Sequence, residues 1–222
     1  PGLLAMNLHT DGMQHPQAAG WGAGFLPSKY QGTVIDPVKG IRHTSMPSGI
    51  SVQQRTAELD LLKQLNQRHL ARVQDHSELA ARIESYQTAF AMQTSAPELF
   101  EINTESASVQ QAYGLDRPET ALTGRGCLLA RRMVERGVRF VQVRVGGWDA
   151  HGNLKGNHQK MADRTDGPVA ALLADLKQSG LLESTLVVWG GEFGRTPTME
   201  GLGNGRDHSP AAYTVWLAGG GV

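Results

Sequence analysis

The stretch that decides the fold is Val138-Arg139-Phe140-Val141-Gln142-Val143-Arg144-Val145, which runs almost directly into Trp148-Asp149-Ala150-His151-Gly152. The first eight residues are β-branched or aromatic at most positions and read as a strand. The five that follow place a carboxylate and an imidazole in a turn. Immediately upstream, residues 121–136 carry a helical pattern in which Leu129 and Met133 stand one turn apart, and Gly137 is placed to end it as a C-cap glycine. Helix, glycine, strand is half of a βαβ unit.

The pattern repeats downstream. A helix is expected over Ala162–Gln178, with Val169, Leu172, Leu173 and Leu176 as its apolar stripe and Gly180 closing it. Thr185-Leu186-Val187-Val188-Trp189 is short and almost wholly apolar, as expected for a parallel strand covered on both faces. Tyr213-Thr214-Val215-Trp216-Leu217-Ala218 gives a last strand. The order strand, helix, strand, loop, strand predicts an α/β doubly wound, mostly parallel sheet with helices on both faces. In such sheets ligands bind beyond the carboxyl ends of the strands.

Upstream, residues 1–50 read as an irregular, loop-rich region with no strand, and His9, His15 and His43 as solvated loop histidines. Residues 51–92 read as two helices forming a layer on the sheet. Ser51 caps the first, which carries Val52, Leu59, Leu62, Leu65 and Leu70; Leu79, Ile83, Tyr86 and Phe90 mark one face of the second. Residues 93–120 form a polar connection with turns at Pro97 and Pro118.

Composition narrows the function. With 21 Lys+Arg against 21 Asp+Glu the formal net charge is +0, which removes the basic excess that phosphate-backbone binding to nucleic acid needs. No apolar run reaches the roughly 18 residues of a membrane span. The single cysteine, Cys127, excludes an internal disulfide and a multi-Cys zinc site, and its helical setting reads as a packed core thiol. In 222 residues with no obvious linker, one domain spanning 1–222 is expected, and the ends, Pro1 and Gly219-Gly220-Gly221-Val222, give it the look of a segment incomplete at both ends.

Three clusters carry the chemistry. Asp149 and His151 are two apart, so on extended backbone their side chains point the same way, separated by about two strand rises of ~3.3 Å. Carboxylate oxygen plus imidazole nitrogen is the ligand mixture of zinc, manganese and iron hydrolases; the bland alternative is a turn-capping aspartate beside an exposed histidine. Glu192 follows the apolar strand within Gly190-Gly191-Glu192-Phe193-Gly194-Arg195-Thr196-Pro197. It either approaches a ligand closely or satisfies backbone N–H groups. Arg195, three residues on, either clamps an anionic substrate oxygen or neutralises Glu192. In Gly205-Arg206-Asp207-His208-Ser209-Pro210, Asp207 and His208 are adjacent and point apart, so one can bind metal while the other orients a neighbour. This third cluster precedes the last strand and must fold back to join the others.

Gly180-Leu181-Leu182-Glu183-Ser184-Thr185-Leu186-Val187-Val188-Trp189 followed by Gly190-Gly191-Glu192-Phe193-Gly194 resembles the sulfatase and alkaline phosphatase superfamily, where such a strand runs into a metal-binding turn. More closely, the three clusters, with Trp21-Gly22-Ala23-Gly24-Phe25-Leu26-Pro27 and Met92-Gln93-Thr94-Ser95-Ala96-Pro97-Glu98-Leu99, resemble the bacterial domain-of-unknown-function 1501 family, sulfatase-like members of that superfamily. The resemblance implies an alkaline phosphatase-like α/β fold and a strand-end site for one or two divalent ions (zinc, manganese or calcium) held by Asp149, His151, Glu192, Asp207 and His208. Glu192 matches the aspartate of the superfamily's metal turn, Phe193 stands where a histidine ligand is expected, and Asp166 matches a helix-start aspartate of sulfatases. The nucleophile and a further aspartate are expected from an early strand end, upstream of Pro1.

The implied activity is metal-dependent hydrolysis of phosphate or sulfate esters, on a small anionic ester or a sulfated or phosphorylated glycan, by an exported protein. The alternatives are a non-catalytic carbohydrate- or surface-binding protein with a degenerate site on the same fold, and a structural domain whose acidic turns only cap helices.

Overall fold

The computed structural model describes residues 4–8, 32–41, 49–70, 72, 97–191, 193–200 and 203–221. Glu192, the three loop histidines His9, His15 and His43, the Trp21–Pro27 motif and the second expected helix with Leu79, Ile83, Tyr86 and Phe90 lie outside them. The chain divides into two compact units, one of Pro1–Met6, Gln14–Glu101 and Val138–Gln142, the other of Asn7–Met13, Ile102–Gly137 and Val143–Val222.

Strands β1 (Leu4–Asn7) and β2 (Thr33–Ile35) pair in parallel, with Leu4 opposite Thr33 and Met6 opposite Ile35. This corrects the reading of residues 1–50 as strandless. The two strands are only four and three residues long, too short for alternation to stand out among glycines and prolines, and tertiary pairing decides them. Met6 and Ile35, opposite each other in register, are both buried. β2 leads into a turn in which Asp36 Oδ1 accepts from the amides of Val38 and Lys39, both at 2.8 Å. β3 (Val141–Arg144) gives the sheet order β2-β1-β3.

Helix α1 (Val52–Leu70) starts with a reciprocal cap: Ser51 Oγ accepts from the Gln54 amide at 3.2 Å, and Gln54 Oε1 accepts from the Ser51 amide at 2.9 Å. Its expected stripe is not a buried one, for Leu62 and Leu65 are each about half exposed. Capping and a majority of good helix formers (Gln, Arg, Ala, Glu, Leu, Lys) favour the helix where its leucines are exposed.

The expected polar connection carries helical turns instead. They are α2 (Pro97–Phe100), a 3₁₀ turn (Ile102–Thr104) and α3 (Ala107–Ala112), the last capped by Ser106 Oγ accepting from the Val109 amide at 3.3 Å. Pro97 opens α2, where its missing N–H costs nothing.

The core of the second unit lies between α4 (Ala121–Glu135) and α5 (Leu154–Gln178). Leu128, Leu129 and Met133 of α4 are completely buried, and Gly137, at φ +77°, ends that helix as expected. Gly124 lets α4 pass Tyr113 closely: a Cβ there would meet the Tyr113 carbonyl oxygen at 1.9 Å. Helix α5 begins eight residues before the expected Ala162, after Asn153 in the left-handed conformation. Its buried line is Met161, Thr165, Pro168 and Leu176; of the expected stripe Leu176 is buried, while Val169, Leu172 and Leu173 are half-buried. Asp166 is therefore a mid-helix, exposed residue and not a helix-start aspartate.

Charges are sealed into this core. Arg131, side chain 11% exposed, meets Glu105 at 2.9 Å and Glu135 at 2.6 Å; its Nε lies 3.2 Å from Asp175 Oδ2, an ion-pair distance without hydrogen-bond alignment. Arg132 reaches the other Glu105 oxygen at 2.8 Å, and Tyr113 donates its hydroxyl to Asp175 at 2.9 Å. Burial, and then the Asp175 carboxylate, push the Tyr113 hydroxyl well above its usual range. Cys127 is buried against α4's own neighbours, and burial pushes its thiol up to about 12, so it stays a protonated core residue.

β4 (Val187–Gly190) pairs antiparallel with β7 (Val215–Ala218), Trp189 facing Trp216. The expectation of a parallel strand covered on both faces fails here. Val188 and Leu217, register partners, are 60% and 48% exposed, whereas Trp189 and Trp216 stack on the other face with ring centroids 6.2 Å apart. β5 (Gly194–Arg195) and β6 (His208–Ser209) form a further antiparallel pair.

Replacing Arg131 with methionine leaves Glu105, Glu135 and Asp175 facing one another without their shared cation. Breaking a buried pair by removing one partner typically costs about 3–5 kcal/mol. The urea unfolding midpoint of Arg131→Met should fall correspondingly with an unchanged slope; a loss below ~1 kcal/mol would assign stability to the apolar packing alone.

Candidate functional site

Three segments of the second unit are stitched together by main-chain hydrogen bonds. Arg206 donates its amide to Ala150 O at 3.1 Å, Asn153 to Gly203 O at 2.9 Å, and Thr196 to Asp207 O at 2.9 Å. The β5–β6 ladder sets Arg195 opposite His208. The third cluster thus folds back onto the first two, as the sequence required. Gly205 makes the closest approach: a Cβ there would lie 2.0 Å from the carbonyl carbon of His151. Only glycine fits, because two backbones pass at that point.

Asp149, His151 and His208 converge at this seam. His151 Nε2 is 2.9 Å from Asp149 Oδ1, His208 Nε2 is 3.0 Å from the same oxygen, and the two Nε2 atoms are 3.1 Å apart. Asp149 and His151 meet through a turn and not through extended backbone, for Ala150 donates its amide to Trp148 O at 2.9 Å. His151 Nδ1 meets Glu200 Oε2 at 2.5 Å. Arg195 donates from Nη2 to Asp149 Oδ1 at 2.6 Å and from Nη1 to Arg206 O at 3.1 Å. Its charge partner is therefore Asp149, and the expected pairing with Glu192 falls outside the described residues.

Asp207 and His208 divide their tasks as adjacent residues must. His208 joins the triad, while Asp207 Oδ1 accepts from the His208 amide at 2.7 Å. Asp207 belongs to a second grouping with His151 and Glu200, whose ligand atoms lie within 4.8 Å of one another. Phe193 packs its ring on that of His208, centroids 4.3 Å apart, with the Arg195 guanidinium carbon 5.9 Å from its centroid. It shields one side of the imidazole instead of supplying a ligand.

The electrostatics follow from these contacts. The His208 hydrogen bond, and next that from Arg195, hold the Asp149 carboxyl down at about 2. Glu200, hydrogen-bonded to the ring, pushes His151 up from its ordinary value. The whole cluster is open to solvent, with Asp149 61%, His208 43% and His151 39% exposed at their side chains. It forms an open surface site and shares no residue with a cavity of about 410 Å³ lined by Lys177, Leu182, Glu183, Gly219 and Gly221.

Ligand atoms ~2.0–2.1 Å from one tetrahedral ion stand roughly 3.3 Å apart. The triangle of 2.9, 3.0 and 3.1 Å is close to that spacing, and its donors are one carboxylate and two imidazole nitrogens, so these residues fit a borderline divalent cation. Glu200 was not among the residues singled out from the sequence. The only local hint is a lone carboxylate in a glycine-rich loop; the Glu200–Gly205 bridge that brings it back to His151 is a tertiary event.

The family described as Protein of unknown function (DUF1501) matches the chain over residues 1–222. No curated protein and no solved structure matches it.

Two outcomes check the site. Gly205→Ala should lower the melting temperature and broaden the ring signals of His151 and His208, since the added methyl collides with backbone; wild-type spectra would contradict the close approach. In acid, the Asp149 carboxyl, followed by carbon NMR, should stay ionised to about pH 2, and its contribution to stability, present above the ordinary 3.8, should fade only as pH falls through that window. Arg195→Ala should move the midpoint upward.

Proposed function

The chain belongs to the DUF1501 family, and on that premise we propose that it is a metal-dependent hydrolase of phosphate or sulfate esters, a relative of the alkaline phosphatase and sulfatase superfamily with that superfamily's doubly wound α/β fold. The observation that carries this reading is the convergence of Asp149 Oδ1, His151 Nε2 and His208 Nε2 within 3.1 Å of one another. Asp149, His151 and His208 hold the divalent ion, zinc or manganese by the donor set. A bound ion of this kind polarises an ester oxygen and lowers the pKa of a coordinated water.

The protein's own groups do the rest. Arg195 spends two N–H groups on Asp149 and Arg206 O, and a guanidinium has five, so it retains donors for an anionic oxygen beside the triad. Asp207 fixes the backbone of His208, and Phe193 limits the ring's rotation. The open setting suits a substrate presented at the end of a larger molecule, such as a sulfated or phosphorylated glycan, on an exported protein.

A second reading, binding without turnover, draws on the Thr196 hydroxyl beside the site and on the chain's single thiol, which lies in the core of α4. Thr196 Oγ1 accepts from the Asp207 amide at 3.1 Å and donates to Thr198 O at 2.9 Å, and Cys127 is buried and protonated. Neither is a free nucleophile, so catalysis needs a metal-activated water or a residue beyond those described.

Purified protein, stripped and reloaded with zinc or manganese, should bind an ion and hydrolyse an aryl phosphate or aryl sulfate. Asp149→Ala and His208→Ala should each lose both properties. Binding without hydrolysis of either ester selects the second reading, and unchanged metal content in both variants refutes the site.

A further inference from the structure

We propose that Glu200 is a positioning residue that fixes which nitrogen of His151 faces the triad. The inference rests on the metal-site reading above but concerns a residue that reading does not need. Glu200 Oε2 is 2.5 Å from His151 Nδ1, while His151 Nε2 is 2.9 Å from Asp149 Oδ1 and 3.1 Å from His208 Nε2. An ionised carboxylate accepts only, so the Glu200 contact favours the form of the ring that carries a proton on Nδ1, against the pull of Asp149 on Nε2. In the neutral ring that leaves Nε2 with its lone pair directed at Asp149 and His208, the tautomer a cation requires. Without Glu200 the competing tautomer puts a proton on Nε2, where Asp149 and His208 both stand ready to accept it.

The loop is built to deliver this carboxylate independently of the contact it makes. Glu200 donates its amide to Gly205 O at 3.2 Å and Gly203 donates to Glu200 O at 3.3 Å, so backbone bonds hold the main chain at residue 200. Gly205 in turn lies against the His151 backbone. The side chain is therefore the variable part, and truncating it leaves the loop's ladder in place. Glu200 meets the His151 nitrogen that faces away from the triad, and so acts on the triad through His151.

The test has two arms. In metal-free protein, at a pH where the ring is neutral, nitrogen NMR of His151 should show protonated Nδ1 in the wild type and Glu200→Gln and a shift toward protonated Nε2 in Glu200→Ala. Zinc titration by calorimetry should give one ion per chain in all three proteins. Affinity should fall about 10–100-fold in Glu200→Ala and less in Glu200→Gln, whose amide oxygen still accepts. An unchanged tautomer in Glu200→Ala overturns the positioning role even if zinc binds. Two ions in the wild type and one in Glu200→Ala make Glu200 a ligand and overturn it too. A wild type that binds no zinc refutes the metal reading, while the tautomer arm still decides Glu200.

Discussion

Two imidazole nitrogens 3.1 Å apart, both resting on one carboxylate oxygen, form an arrangement of acceptors that must be held together by positive charge. With His151 Nδ1 donating to Glu200, a neutral ring offers a lone pair at Nε2, and so does Asp149 Oδ1 2.9 Å away. One proton on His208 cannot satisfy every edge of that triangle. Either His151 becomes an imidazolium, as the upward push from Glu200 favours, or a metal ion takes the central place. Arg195 adds a fixed positive charge on the rim through Asp149.

The architecture of the second unit serves this convergence. A loop that returns from β5 to β6 is tied by main-chain bonds to the turn carrying Asp149 and His151, so the triad is assembled by backbone geometry and not by side-chain attraction. In the same unit, α4 and α5 are joined by the Arg131 network, in which three partly buried carboxylates share two buried guanidinium groups. Such a network contributes less net stability than its contact distances suggest, because desolvation offsets much of the attraction, but it specifies how the two helices meet.

What the sequence disclosed follows the range of each interaction. The capping of α1 by Ser51 and the end of α4 at Gly137 are local, and each was legible from neighbours a few residues apart. The short strands β1 and β2 and the antiparallel pairing of β4 with β7 depend on distant partners, and there local pattern misled; in α5 it found Leu176 but not Met161, Thr165 or Pro168. The site divides in the same way. Asp149, His151, His208 and Arg195 were named from turn chemistry, and Asp207 was named beside His208, from whose amide it accepts. Glu200 was missed because its partner is 49 residues away and no periodicity connects them.

The most direct measurement is X-ray absorption at the zinc edge on protein loaded with one equivalent of zinc. The account predicts two imidazole nitrogens and at least one carboxylate oxygen at about 2.0–2.2 Å, with one imidazole shell lost in His208→Ala. A zinc ion coordinated without histidine, or an unaltered spectrum in that variant, would contradict it.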